Sequence, residues 1–167
     1  MRWRQLPGVV LLGLTGVFGY NAFFFLGLEQ IPASRASLVI TTNPAFIALG
    51  AAWFYREALS PLKILGIGCA VAGAAVVISR GDFASIFGQG LTLGDLYLLG
   101  CIATWTLYSL LGKWVMRSLS PLAATTYAWL VGTPLLLMPA LQANLLGSIA
   151  QFSGVAWGCI VYLAVLG

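Results

Sequence analysis

Charge in this chain is confined to the ends of long apolar runs, and that placement limits the fold more than any motif does. The runs extend from about Pro7 to Leu28, Ala33 to Tyr55, Pro61 to Ser79, Gly94 to Met116 and Pro121 to Leu141. Each approaches the roughly 20 apolar residues that cross a hydrocarbon core about 30 Å thick. Backbone groups in lipid must bond internally, so such runs are helices or strands of a closed barrel. Barrel strands are alternating segments of about ten residues, whereas these runs are continuous, which selects helices. Composition agrees. With 60% hydrophobic and 7% charged residues, the chain has too little polar surface to face water as a soluble domain. The expected fold is all-α, a polytopic transmembrane helix bundle of five complete spans. A partial sixth begins near Ser153 and stops at Gly167, about 15 residues in and too short to cross.

The punctuation between runs is consistent with this reading. Glu29-Gln30-Ile31-Pro32 closes the first span, because proline disfavours helix in the residue before it. The second closes at Arg56-Glu57. Ser60-Pro61 and Ser120-Pro121 each place a capping hydroxyl before a proline in the first turn. Residues 81–93, rich in glycine, read as a linker. Met1-Arg2-Trp3-Arg4 before an apolar run resembles a signal peptide, but the run continues to Leu28 without a small-residue cleavage site, which favours a retained span. Successive connections alternate sides. One side carries Arg2, Arg4, Arg56, Lys63, Lys113 and Arg117, and the other carries Arg35 and Arg80. The positive-inside rule then places the N-terminus in the cytoplasm, with the chain in a bacterial inner membrane.

Several function classes are excluded. Without histidine there is no HExxH and no Ser-His-Asp arrangement, and Gly112-Lys113 lacks the preceding glycine of a P-loop. Cys69, Cys101 and Cys159 lie singly in apolar runs and form no metal or disulfide pattern. The net charge of +4 is scattered, which argues against nucleic acid. No enzyme activity, cofactor or metal is expected. Glu29, Glu57, Asp82 and Asp95 fall at span ends, so no buried carboxylate is expected to relay protons.

Candidate functional residues are the polar and aromatic ones within spans. Thr41-Thr42-Asn43-Pro44 lies mid-span, where proline frees a carbonyl one turn earlier. Such a break either presents polar backbone at the midplane or is a bend capped by a threonine hydroxyl. Asn21, beside Tyr20, needs partners in hydrocarbon and is expected to face another helix or a cavity. Of Phe23, Phe24 and Phe25, at least two are expected to face lipid, with Phe24 retained as a path candidate. Trp105 and Tyr108 share a helix face near mid-span and read as cavity lining. Trp3, Trp53 and Trp114 suit an interfacial belt. Arg56 and Glu57 read as an interfacial anchor or a cytoplasmic gate. Small residues at helical spacing (Gly66, Ala70 and Gly73; Ala48 and Ala52) are either sliding surfaces or static packing faces.

Several motifs, correct in order, carry a family resemblance. Pro32-Ala33-Ser34 opens the second span, Asn43-Pro44 breaks it, and Glu57 follows it. Gly66 through Gly73 comes next, and Gly94-Asp95 precedes a helix bearing Trp105 and Tyr108. Together they resemble the EamA-type transporters of the drug/metabolite transporter superfamily, in which two five-helix repeats form ten helices. The small-x-x-small step of Leu11–Gly16 recurs in Tyr162–Gly167, consistent with such a repeat. The resemblance implies that residues 1–80 are the C-terminal part of a first repeat. Residues 94–167 would be the N-terminal part of a second, and the chain a fragment lacking the first two and last helices. It further implies alternating-access transport, with export of amino acids or related small metabolites. The bilayer, a metabolite and a second copy of the chain would be partners. A non-transporting membrane subunit or assembly factor is the alternative.

Overall fold

The computed structural model describes residues 5–79, 92–142, 147, 149 and 151–166. Six helices and no strands occur among them: α1 (Leu6–Gln30), α2 (Ala33–Tyr55), α3 (Pro61–Ser79), α4 (Leu93–Val115), α5 (Pro121–Gln142) and α6 (Gly154–Leu166). Helices α1, α2, α4 and α5, of 25, 23, 23 and 22 residues, are long and apolar enough to cross a membrane. The third expected span is the 19-residue α3, and α6, the partial sixth, has 13 residues. The expected linker lies almost wholly outside the described residues, as do Arg2, Trp3, Arg4, Arg80 and Asp82.

Local chemistry sets the helix boundaries. Ser60 and Ser120 accept from the backbone N–H of Lys63 and Ala123, both at 3.3 Å, just before Pro61 and Pro121. Thr92 caps α4 through a reciprocal box. Its hydroxyl accepts from the Asp95 N–H at 3.3 Å, and its own N–H donates to Asp95 Oδ2 at 2.9 Å. Helix α2 is interrupted by a turn at Thr42. Pro44 has no N–H to donate, and the Ala45 and Phe46 amides both turn to the Thr42 carbonyl at 2.9 and 3.3 Å. The Thr42 hydroxyl donates to the Val39 carbonyl at 2.6 Å, which also accepts from the Thr42 N–H, whereas the carbonyl four residues before Pro44 is that of Ile40. Glycine-rich Gly13–Gly19 of α1 is π-helical, an insertion that the apolar pattern did not foretell.

The chain divides into two compact units, Met1–Thr133 and Pro134–Gly167. In the second, Phe152 and Trp157 meet edge to face at 6.1 Å, and Ser153 Oγ accepts from the Ala156 N–H. The first is organised by antiparallel packing of α1 on α4, with α2 alongside and parallel to α4. One end, here the near face, holds the start of α1 and the ends of α2 and α4. The far face holds the opposite ends.

Close approach along the α1–α4 seam depends on glycine. A Cβ at Gly16 would lie 2.1 Å from the Tyr108 ring, one at Gly27 2.9 Å from Leu98, and one at Gly94 2.6 Å from Ile31. Where α5 meets α1, a Cβ on Gly132 would lie 2.4 Å from Val17. The expected small-residue stripe on α3 does not pack this way. Nothing lies within 4 Å of a Cβ at Gly66 or Gly73. Gly66, Ala70 and Ala48 instead line an open apolar groove of about 270 Å³ between α2 and α3.

Gly16→Ala is therefore expected to destabilise the protein by ~1–3 kcal/mol through overpacking. Gly66→Ala should stabilise it by up to about 1 kcal/mol through helix propensity. Thermal melting of the detergent-purified variants measures both.

Candidate functional site

At the middle of the α1–α4 seam, four of the predicted path residues form one aromatic wall. Tyr20 stacks on Phe24, one turn along α1, with centroids 6.1 Å apart and planes at 8°. The Tyr20 ring meets Trp105 of α4 at 4.8 Å, and Trp105 stacks on Tyr108 at 5.2 Å. All four are half-buried, packed enough to be fixed and open enough to be reached. Gly16 admits the Tyr108 ring, and Gly100 admits Phe23, whose ring atoms lie 3.1 Å from where a Cβ would stand. Glycine thus seats the Tyr108 end of the wall and the neighbouring Phe23 against the opposite helix.

Packed clusters bound the wall at both ends. Toward the far face, buried Ile31, Ala36 and Leu98 draw together α1, α2 and α4, with Phe24, Leu28 and Val39 against them. Toward the near face, Val9, Leu12, Val115, Ala124 and Ala128 form a second buried cluster, with Tyr108 against it. Phe24 and Tyr108 each belong both to the wall and to one plug.

Beyond each plug, an ion pair links α2 to α4. On the far face Arg35 Nη2 donates to Asp95 Oδ2 at 2.8 Å. On the near face Lys113 pairs with Glu57 and sits 4.8 Å from the Tyr55 ring centroid. The Tyr55 hydroxyl donates to the Leu110 carbonyl at 2.6 Å. Each pair joins residues that the span alternation puts on one side of the membrane. The absence of a buried carboxylate needs correction. Asp95 is at a span end, as expected, yet only 7% exposed, because α2 covers it.

Other predicted residues are placed differently. Asn21 does not turn to another helix: its amide donates to the Val17 carbonyl at 2.7 Å, within α1. Of the three phenylalanines Phe25 is exposed, whereas Phe23 and Phe24 are half-buried, Phe23 over Gly100 and Phe24 against the far cluster. Arg56 is exposed and pairs with nothing among the described contacts. It ends α2 in a left-handed conformation, φ 53°. Glu57, its neighbour, makes the cross-helix contact. Trp53 and Trp114 are exposed, as belt residues would be. Pro44 lines the α2–α3 groove and not the aromatic wall.

Asn43 is nine-tenths buried, and among the described residues its Oδ1 has no hydrogen-bond partner, nor has the buried hydroxyl of Thr106 on α4. Sequence reading selected Asn43 but passed over Thr106, which follows Trp105 directly. Its polarity within the span was the available signal. Among the described residues no cluster of potential metal ligands occurs, and what these two groups offer is hydrogen bonding.

Comparison with known proteins follows from this geometry. The sequence matches the EamA-like transporter family over residues 2–79 and 92–167. It is 30% identical over 161 residues to the uncharacterised transporter YyaM of Bacillus subtilis, covering 96% of this chain and 53% of that protein. It is 32% identical to a probable terminal-alkyne amino-acid exporter of Streptantibioticus cattleyicolor, covering 99% and 53%. It is 30% identical to the aromatic amino acid exporter YddG of Ancylobacter novellus, covering 66% and 38%. The chain spans about half the length of the curated relatives it matches. No solved structure matches.

An unpaired buried acceptor costs about 1–3 kcal/mol, whereas an apolar group of similar shape avoids that penalty. Asn43→Leu is accordingly expected to raise stability by about 1 kcal/mol, read as an upward shift of the melting curve in detergent.

Proposed function

The chain belongs to the EamA-like transporter family, and on that premise we propose that the protein exports amino acids or related small metabolites across a bacterial inner membrane. The observation that carries this reading is the mid-span aromatic wall of Phe24, Tyr20, Trp105 and Tyr108, closed at both ends by packed apolar clusters. Aromatic faces accept both apolar side chains and an ammonium group, the latter through the ring quadrupole. A substrate with an amino group and an apolar body suits such a wall. The unpartnered Asn43 Oδ1 and Thr106 hydroxyl supply further hydrogen-bonding capacity within the spans. The naming of two relatives as a probable terminal-alkyne amino-acid exporter and an aromatic amino acid exporter supports this substrate class.

In the mechanism we propose, a part comprising residues 1–80 and a part comprising residues 94–167 rock about the wall, exposing it to each face in turn. The near face, with Arg56, Lys63, Lys113 and Arg117, is cytoplasmic by the positive-inside rule. The Glu57–Lys113 pair closes that face when the path opens outward. Substrate enters from the cytoplasm, rests against the rings, and leaves after the near plug has formed behind it.

Flux of radiolabelled aromatic and aliphatic amino acids into inside-out vesicles, carrying the protein at its full natural length, tests the reading. Trp105→Ala is expected to lower flux at least tenfold, the effect of losing one or two favourable ring contacts (about 1.4 kcal/mol per factor of ten). Trp53→Ala, on the exposed surface, should stay within about twofold of the parent, inside the small range of surface substitutions. Asn43→Leu should lose flux while gaining stability. Absence of flux over a broad panel of amino acids and metabolites would overturn the proposal.

A further inference from the structure

The Arg35–Asp95 contact differs from an ordinary surface ion pair in how its carboxylate is held. Asp95 Oδ2 accepts three times: from the Thr92 N–H at 2.9 Å, the Thr92 hydroxyl at 2.8 Å and Arg35 at 2.8 Å. The first two bonds belong to the cap of α4 and persist whether or not arginine is present. They also satisfy the carboxylate at a helix N-terminus, where negative charge is favoured by the helix dipole. The third bond comes from another helix, carried on a long side chain that is 23% exposed. The two partners are therefore unequal. One is fixed on α4, and the other can leave with α2 without stranding a buried unsatisfied anion.

Directly beneath this contact lies the far plug. Ala36 follows Arg35 in α2 and is fully buried against Leu98 and Ile31. Separating Arg35 from Asp95 moves Ala36 away from Leu98, and the Phe24 edge of the aromatic wall lies next below. Helix α2 is interrupted at Thr42, about two turns beyond Arg35, so its N-terminal part can tilt while its C-terminal part remains packed on α4.

We propose that Arg35 is the latch of a far-face gate: its release from the capped Asp95 carboxylate lets the N-terminal part of α2 swing out and opens the plug. This rests on the transport reading and on the orientation given above, under which the far face is external. Arg35 acts through the plug and not by touching substrate, so it is a gating residue. Its departure exposes a guanidinium that water solvates readily, while Thr92 retains the aspartate.

The test reads gate opening directly and needs no substrate, so its failure is separate from failure of the transport reading. In a protein carrying Cys69→Ser, Cys101→Ser and Cys159→Ser, Ala36→Cys reports on the far plug and Val9→Cys on the near one. A membrane-impermeant maleimide is applied to each face of sealed vesicles. Arg35→Gln is expected to accelerate labelling of the far reporter from the far face roughly tenfold, about what one charge-assisted hydrogen bond is worth. Asp95→Asn, whose amide oxygen still accepts from Thr92, should do the same, whereas Arg35→Lys should fall between it and the parent. Val9→Cys labelling should not change in any of them. Labelling of the far reporter at the parental rate in both Arg35→Gln and Asp95→Asn would overturn the proposal. So would equal acceleration at both reporters, which would mean general loosening. Failure of both variants to accumulate in folded form would assign the pair to fold stability and would likewise overturn it.

Discussion

Everything in the larger unit depends on how closely α1 and α4 approach. Lipid supplies no hydrophobic force to press two apolar helices together, so their association relies on van der Waals contact and on the few available hydrogen bonds. Contact of that quality requires small residues, and glycine supplies them from both helices: Gly8, Gly16 and Gly27 on α1, Gly94 and Gly100 on α4. The seam has no hydrogen-bonded ladder to fix its register. It is instead keyed by Leu98 over Gly27, Phe23 over Gly100 and Tyr108 over Gly16. The Tyr20–Trp105 contact and the two plugs follow from that register. A shift of one turn would remove the aromatic wall.

The same seam explains what was legible in the sequence. Span limits were readable because proline, serine caps and terminal charges act locally. Pro32, Ser60-Pro61 and Ser120-Pro121 set boundaries within one or two residues of those observed, and the bend at Asn43-Pro44 follows from one missing N–H. The pairing of α1 with α4 is not local. Those helices are separated by two others in sequence, and apolar faces in lipid carry no periodic signal, because inside and outside are equally apolar. For that reason Gly66 and Ala70 of α3 looked like part of a packing stripe, although they line an open groove, and Phe23 looked lipid-facing, although Gly100 receives it. Asn21 bonds locally: its amide donates to the Val17 carbonyl, in the π-helical stretch one turn earlier.

Asp95 shows how one oxygen can serve two levels of structure. Its bonds to Thr92 are decided by three residues of sequence and start α4. Its bond to Arg35 spans 60 residues and joins α4 to α2. Sequence reading found the helix start but treated the aspartate as an interfacial charge, since nothing local announces that α2 will cover it. Burial of a carboxylate is tolerable here because three donors converge on it at a helix N-terminus, which offsets most of its desolvation cost.

Helix α2 is where these constraints leave freedom. Ion pairs join it to α4 at each end, and Tyr55 adds a hydrogen bond near one of them. Its middle, however, holds a helix break and an amide oxygen without a partner. On its other side the groove toward α3 is open. A helix packed equally along its length would resist bending, because close-packed contacts are lost together. A helix tethered at its ends and poorly satisfied in its middle has its weakest point at the break, so displacement of either end is absorbed there.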